Sequence, residues 1–293
     1  MFPINWIFHR TTTSHKVFSK LMTLKHLLAK IPNPYVYVLF TIVFRRKQLR
    51  PYRYIFKYIS QYRLFQKLGG SITYNYPILE DYDSQAGTAK GHYFHQDLLV
   101  ASFVHKSNPT RHIDVGSRID GFVAHVASFR KIEVMDVRQL ESIGHQNISF
   151  LRADLMDESN IHPNISDSIS CLHAIEHFGL GRYGDPLDPN GHIKGFNNIL
   201  RMLQPNGILY ISFPIGRVNE TQFNGQRVFH PNDILRWPDQ NDKPDLIRFD
   251  YVDDEGNLHQ NVDLKSQDLD VTYGCGIYTF RKSNLNNSIK HSY

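Results

Sequence analysis

Three carboxylates in this chain, Asp114, Asp136 and Asp154, each close an apolar run and stand about twenty residues apart. Gly116 follows the first, within Ile113-Asp114-Val115-Gly116-Ser117-Arg118-Ile119-Asp120-Gly121. A glycine there lets the backbone turn tightly and approach a ligand with no Cβ in the way. A carboxylate about twenty residues further on suits the hydroxyls of a ribose. Asp154, one strand later, can accept from an adenine amino group. The pattern sketches a nucleoside site.

Gly116-x-Arg118-x-x-Gly121 is a dinucleotide fingerprint with arginine in place of its middle glycine. That glycine is what admits a pyrophosphate. Arg118 therefore disfavours NAD and leaves S-adenosylmethionine, which carries no phosphate and whose methionyl carboxylate a guanidinium can pair with. Gly116, Ser117 and Arg118 are expected against that cofactor, with Asp114, Asp136 and Asp154. The plain alternatives are Asp114 as a cap on the following helix and Arg118 as an exposed residue of its first turn.

A second cluster, Cys171-Leu172-His173-Ala174-Ile175-Glu176-His177-Phe178-Gly179, follows another apolar run. Transfer to an oxygen needs a base for the hydroxyl proton, and His177, then Glu176, are the candidates. A capping or core histidine is the bland reading of His177, and His173 is expected to face the sheet. His173 to His177 also spell His-x-x-Glu-His, the inverted zinc-protease motif. That motif needs both histidines one turn apart on a long helix, whereas His173 ends a strand and Gly179 and Gly181 break any helix soon after. No metal is expected. The loop holding Arg182, Tyr183 and Asp185 can hydrogen-bond a polar substrate such as a sugar, or be a plain turn. His230 can reach the same pocket, and Tyr93 and Gln96 can close over the cofactor.

These residues need a scaffold that brings strand ends together. Strand-like runs fall at 111–115, 131–137, 148–153, 168–173 and 207–213. Helical spacing runs from Gly91 to Val104, stopping before Asn108-Pro109, and again from Phe122 to Phe129. Asp188 is a candidate N-cap, with Pro189 opening a helix to Leu203 that ends at Gln204-Pro205-Asn206-Gly207. Alternating strands and helices predict a parallel sheet with crossover helices. Beyond Pro214 loops follow, with a short helix near Pro231–Trp237. Runs at 246–252 and 276–281 can add antiparallel edge strands.

Composition adds a boundary. The net charge of +5 conceals an asymmetry, for no Asp or Glu precedes Glu80 while residues 1–79 hold thirteen Lys and Arg and sixteen of the thirty-seven aromatics. Residues 80–293 carry a net charge of −8. The division expected is a basic, aromatic extension over 1–80 and a catalytic domain over 81–293. Such an extension suits anionic lipid, or, less well given the acidic domain, nucleic acid. Packing on the acidic domain is its bland reading. The longest apolar run, Tyr35 to Phe44, has ten residues, against about 20 for a membrane span. Two cysteines rule out a disulfide framework, and a cytoplasmic location is expected, peripheral at the inner face of a membrane if the extension binds lipid.

Residues 111–215 resemble class I methyltransferases. Asp114-Val115-Gly116 matches their first motif, Asp136 their ribose acid, Asp154 an adenine contact, and Leu203 to Ser212 the strand opened by their L-x-P-G-G turn. The stretches Gly91–Leu98, Asp114–Gly121, Leu172–Gly184 and Tyr273–Lys282 look like a branch of that superfamily often found among surface-polysaccharide genes. The chain departs from the superfamily at Arg118, where glycine is usual. The resemblance implies an α/β, Rossmann-like, doubly wound, mostly parallel sheet and S-adenosylmethionine as cofactor. It also implies a methyltransferase acting on oxygen of a glycan or glycan precursor. The competing functions are an RNA methyltransferase using the basic segment, a non-catalytic scaffold of the same fold at a membrane surface and, least favoured, an NAD-linked enzyme.

Overall fold

The structure is a computed structural model, and it describes residues 54–141, 144–239, 242–264 and 269–283. Most of the basic extension lies outside the described residues, and with it the apolar run at 35–44. The chain divides into two units, Met1–Thr88 and Ala89–Tyr293. In the first, helix α1 (Ile55–Lys67) ends at Gly69, whose φ of +91° lets the chain leave the helix. Its aromatics engage one another and their own segment: the Lys57 ammonium lies 4.3 Å from the Tyr82 ring, and Tyr58 donates to Asn75 at 3.3 Å.

The second unit is built on an eight-stranded sheet in the order β3-β2-β1-β4-β5-β10-β8-β9. The parallel half comprises β1 (His112–Val115), β2 (Ile132–Asp136), β3 (Ile148–Arg152), β4 (Ser166–Leu172) and β5 (Leu203–Ile215). The expected antiparallel edge is formed by β10 (Gly274–Arg281), β8 (Asp245–Val252) and β9 (Leu258–His259). A small hairpin of β6 (Glu220–Gln222) and β7 (Gln226–Val228) stands apart, in a stretch read from sequence as loop. Among the described residues no helix is long and apolar enough to cross a membrane.

Both faces of the sheet are covered, so β1 and β4 are buried along almost their whole length, including the polar residues His112, Asp114, Ser168 and Ser170. Helix α2 (His92–Ser107), the short helix α3 (Ala124–Ala127) and the turn before it pack Val100, Val104, Val126 and Phe122 on one face. Helix α4 (Gly191–Met202) packs Phe196, Ile199 and Met202 on the other. This is the Rossmann-like, doubly wound class expected.

Three local expectations need correction. The helix read at 122–129 is a π-turn, Ile119–Val123, followed by only four α-helical residues. Gly121 interrupts it at φ −120°, ψ −109°, and a Cβ there would stand 2.5 Å from Asp97 Oδ2. The α4 cap is Asn190, not Asp188, whose amide is bonded to the Gly179 carbonyl at 3.0 Å and whose carboxylate accepts from Asn190 N and Lys194. The turn at Pro205–Gly207 lies inside β5, where the pairing with β4 jumps from Ser166↔Leu203 to Ser168↔Ile208, and Asn206 adopts φ +63°. There the strand bulges without ending.

Candidate functional site

The order of winding reverses between β1 and β4, and a cleft opens there at the carboxyl ends of the strands. It has two connected parts that share Gly116, Asp136, Arg138, His173, His177 and Tyr183. The narrow part encloses about 520 Å³ and the wide part about 1510 Å³, open mouths included. Val137, Ala153, Leu155, Met156 and Phe178 make the narrow part largely apolar, with Asp136 and Asp154 at its polar places.

Gly116 sits at φ +69°, and a Cβ would meet the Ala174 Cβ at 2.9 Å. The loop is held from beneath by Asp114, which lines neither part of the cleft. Its carboxylate is fully buried and accepts from Ser117 N at 3.0 Å, Ser117 Oγ at 2.6 Å and Ser170 Oγ at 2.6 Å. Burial lifts its pKa to about 6, against the pull of those hydrogen bonds. Ser170 Oγ also lies 3.2 Å from His112 Nε2, and burial brings that imidazole down to about 3. Asp114 thus shapes the loop that Gly116 presents.

Of the other residues singled out from sequence, the structure gathers most. Asp136, Asp154, His177, Tyr183 and Asp185 line the narrow part. Tyr93, Ser117, Arg118, Glu176 and Arg182 line the wide part, with Asp136 again. Asp154 Oδ1 accepts from Met156 N at 2.9 Å. Arg118 pairs with Asp120 and lies 5.1 Å from the Tyr93 ring. Asp185 accepts from the amides of Gly179, Gly181 and Tyr183, so it folds the loop that carries Arg182 and Tyr183. Gln96 lines neither part; it is buried, bonded to Ser212 Oγ at 2.6 Å and Asp97 at 3.1 Å. His230 lines a separate cavity with Arg217 and Asp270.

His173 and His177 do not share a helix. His173 stands at φ +50° after β4, and Ile175–His177 is a single 3-10 turn. The buried His173 ring lines the cleft floor and lies against Cys275 of β10, within 4.8 Å by their donor atoms; its Nδ1 lies 2.9 Å from Glu176 Oε1. His177 Nδ1 lies 2.8 Å from the Gly225 carbonyl, an acceptor only, so Nδ1 carries the proton and Nε2 the lone pair. Burial lowers the His177 pKa, with Glu176 and the Gly225 carbonyl opposing. The ring is therefore neutral near pH 7.

Sequence reasoning missed Arg138, which donates to Asp136 from backbone and side chain. An Asp two positions before Arg, just past a strand, was the available signal, since such an Asp readily caps its own turn. It also missed Gln226 and Tyr273, which bond each other at 2.9 Å on the wide side. Their distance along the chain hid them.

The profile of a family described as Caenorhabditis protein of unknown function, DUF268, matches residues 123–236. No curated protein matches the chain. Among solved structures, the chain is similar to the cyclase SpnF, with TM-score 0.46 and 16% identity over 64% of this chain and 80% of that one. It is also similar to the N-methyltransferase NodS from Bradyrhizobium japonicum WM9 in complex with S-adenosylhomocysteine. There the TM-score is 0.42 and the identity 13%, over 66% and 89% of the two chains. A third is the 1,6-didemethyltoxoflavin-N1-methyltransferase of Burkholderia thailandensis with bound S-adenosylhomocysteine, at TM-score 0.41 and 13% identity over 64% and 79%. A cyclase stands beside two methyltransferases, and likeness at this level carries no activity across.

Proposed function

We propose that the cleft binds S-adenosylmethionine and that the chain transfers its methyl group to an oxygen of a hydroxyl-rich acceptor, a glycan or glycan precursor. What carries the reading is one juxtaposition: Gly116, Asp136 and Asp154, from three strand ends, line one narrow apolar slot. An adenosine fits such a slot, with its flat base between apolar side chains and its hydroxyls on a carboxylate. The glycine at φ +69° keeps open a place that a Cβ would crowd. A pyrophosphate is poorly served. The helix after β1 begins with a π-turn behind Arg118, and the space a Cβ would take at Gly121 is filled by Asp97.

When bound, this cofactor supplies an electrophilic methyl group on a sulfonium. The chain supplies position and a base. Asp136 accepts from ribose hydroxyls, and Arg118, on the wide side, exchanges its present partner Asp120 for the methionyl carboxylate. His177 takes the acceptor's proton at Nε2, the nitrogen that the Gly225 carbonyl leaves unprotonated. Tyr93, Arg182, Gln226 and Tyr273 give the wide part a polar and aromatic wall suited to sugar hydroxyls.

Calorimetry of the full chain with S-adenosylhomocysteine, S-adenosylmethionine and NAD tests the cofactor. Binding of the first two, weakened about tenfold or more in Asp136→Asn, is expected. A folded wild-type chain that binds neither, or prefers NAD, ends the reading. Transfer of labelled methyl to oligosaccharides but not to RNA tests the acceptor class, and the reverse preference overturns it.

A further inference from the structure

We propose that His92, His173 and Cys275 form a binding site for a zinc-class divalent metal ion on the cleft floor, with Glu176 as the carboxylate that orients His173. The proposal is independent of the cofactor reading above. The three residues come from separate elements: the first position of α2, the turn after β4 and the strand β10. One donor atom from each lies within 4.8 Å of the other two. Two imidazoles and a thiolate are a donor set for a borderline-soft ion such as zinc, and carboxylate-seeking magnesium or calcium would not select it.

The second observation is an unmet nitrogen. His173 is buried, and its Nδ1 faces Glu176 Oε1 at 2.9 Å, while its Nε2 faces the Cys275 thiol without a hydrogen bond of normal length. A ligating histidine characteristically donates its other ring N–H to a carboxylate, which fixes the tautomer and leaves the lone pair for the metal. His173 and Glu176 have that arrangement. Glu176 Oε2 is likewise buried and without a partner. A cation bound at Nε2 would give that nitrogen its missing partner, while Glu176 on the opposite side of the ring fixes the tautomer.

The geometry leaves room for it. Bonds of about 2.0–2.3 Å to nitrogen and sulfur require the donors to close from their present spacing. The half-buried His92 ring stacks between His173 and Tyr273, with centroids 5.4 and 5.5 Å away, which holds it beside the other two donors. His92, His173 and Glu176 all line the wide part of the cleft, so an open fourth position faces the cavity. This set differs from the inverted protease motif, because it joins His92 and Cys275 to His173 and does not include His177.

The test uses the full chain, stripped with chelator and titrated with cobalt(II) alone. The expected result is one equivalent bound, with tetrahedral d–d absorption and a thiolate-to-cobalt charge-transfer band that zinc abolishes. The band should vanish in Cys275→Ser and survive in Cys171→Ser. In Glu176→Gln the affinity should fall about 10–100-fold, and in His173→Gln by at least as much, with circular dichroism showing each variant folded. Weak octahedral absorption without the charge-transfer band means binding by surface histidines only and overturns the proposal. So does a band that persists in Cys275→Ser.

Discussion

Arg138 donates to both carboxylate oxygens of Asp136, from Nε to Oδ1 at 2.9 Å and from Nη2 to Oδ2 at 2.5 Å. Its guanidinium lies 4.4 Å from the Tyr183 ring, so the pair spans both parts of the cleft. A ribose that bonds Asp136 has to share the carboxylate with Arg138 or displace it.

That competition has a sign. The Arg138 side chain is 48% exposed, and an ion pair so open to water contributes about 1 kcal/mol or less. Arg138→Gln should therefore tighten S-adenosylhomocysteine binding, by up to about fivefold, while Asp136→Asn loosens it. Titration calorimetry of the two variants decides the matter, and weaker binding in Arg138→Gln would show that the arginine helps hold the nucleoside.

Asp114 gives the fold a pH dependence. Burial raises its pKa from 3.8 to about 6 in the folded chain. The folded state then binds the proton more tightly than the unfolded one. Its stabilising contribution is full below about pH 4, is lost as pH rises through 6, and is flat above. At about 1.4 kcal/mol per unit the loss is on the order of 3 kcal/mol. Asp114→Asn should remove this slope. Urea midpoints from pH 4 to 7, in wild type and variant, read it directly; parallel curves would refute the assignment.

Much of this was legible in sequence, and the reason is local. Asp114, Gly116, Asp136 and Asp154 end consecutive strands, and strands announce themselves by apolar runs bounded by turn residues. Position at a strand end therefore translates into position at the cleft. What a residue does there is less legible. Asp114 and Asp136 look alike in sequence, but Ser117 and Ser170 bury the first whereas Arg138 holds the second at the cleft wall. Gln96 lies on the buried side of α2, and His230 belongs to another cavity, because one residue along a helix or turn changes the face. His92, His173 and Cys275 meet only through the sheet order that puts β10 beside β5, which no local pattern encodes.

Gly116 offers a cleaner perturbation. At φ +69° an alanine is strained by about 1–2 kcal/mol, and its Cβ would press on Ala174 at 2.9 Å. Gly116→Ala should lower stability by that amount and reduce nucleoside affinity by more than tenfold, since the loop must shift where the ligand approaches. Thermal melts with and without S-adenosylhomocysteine separate the two effects. An unchanged ligand-induced shift in the melting temperature would place the nucleoside elsewhere.

His177 bears on the chemistry alone. With Nδ1 tied to Gly225, a glutamine can keep one hydrogen bond but cannot take a proton near neutral pH. His177→Gln should lower kcat for methyl transfer by about 10²–10⁴-fold and leave S-adenosylhomocysteine affinity within about twofold. Equal loss in both measurements would make the histidine a structural post.

Arg227 is where fold and cleft meet. It projects from β7, is 4% exposed, and donates to the carbonyls of Phe178 at 2.6 Å and Pro189 at 3.2 Å. Those carbonyls bracket the loop that carries Arg182, Tyr183 and Asp185 to the cleft. Methionine fills a similar volume but leaves both carbonyls without their donor, at a cost of about 1–3 kcal/mol for each group left buried. Arg227→Met should therefore speed amide exchange across residues 178–189 while α2 and β1 keep their protection. Acceptor KM should rise more than kcat falls, because the wall is loosened while His177 keeps its own bond to the Gly225 carbonyl. Hydrogen exchange read by mass spectrometry checks the first expectation, and an unchanged rate in that loop would mean that Asp185 alone holds it.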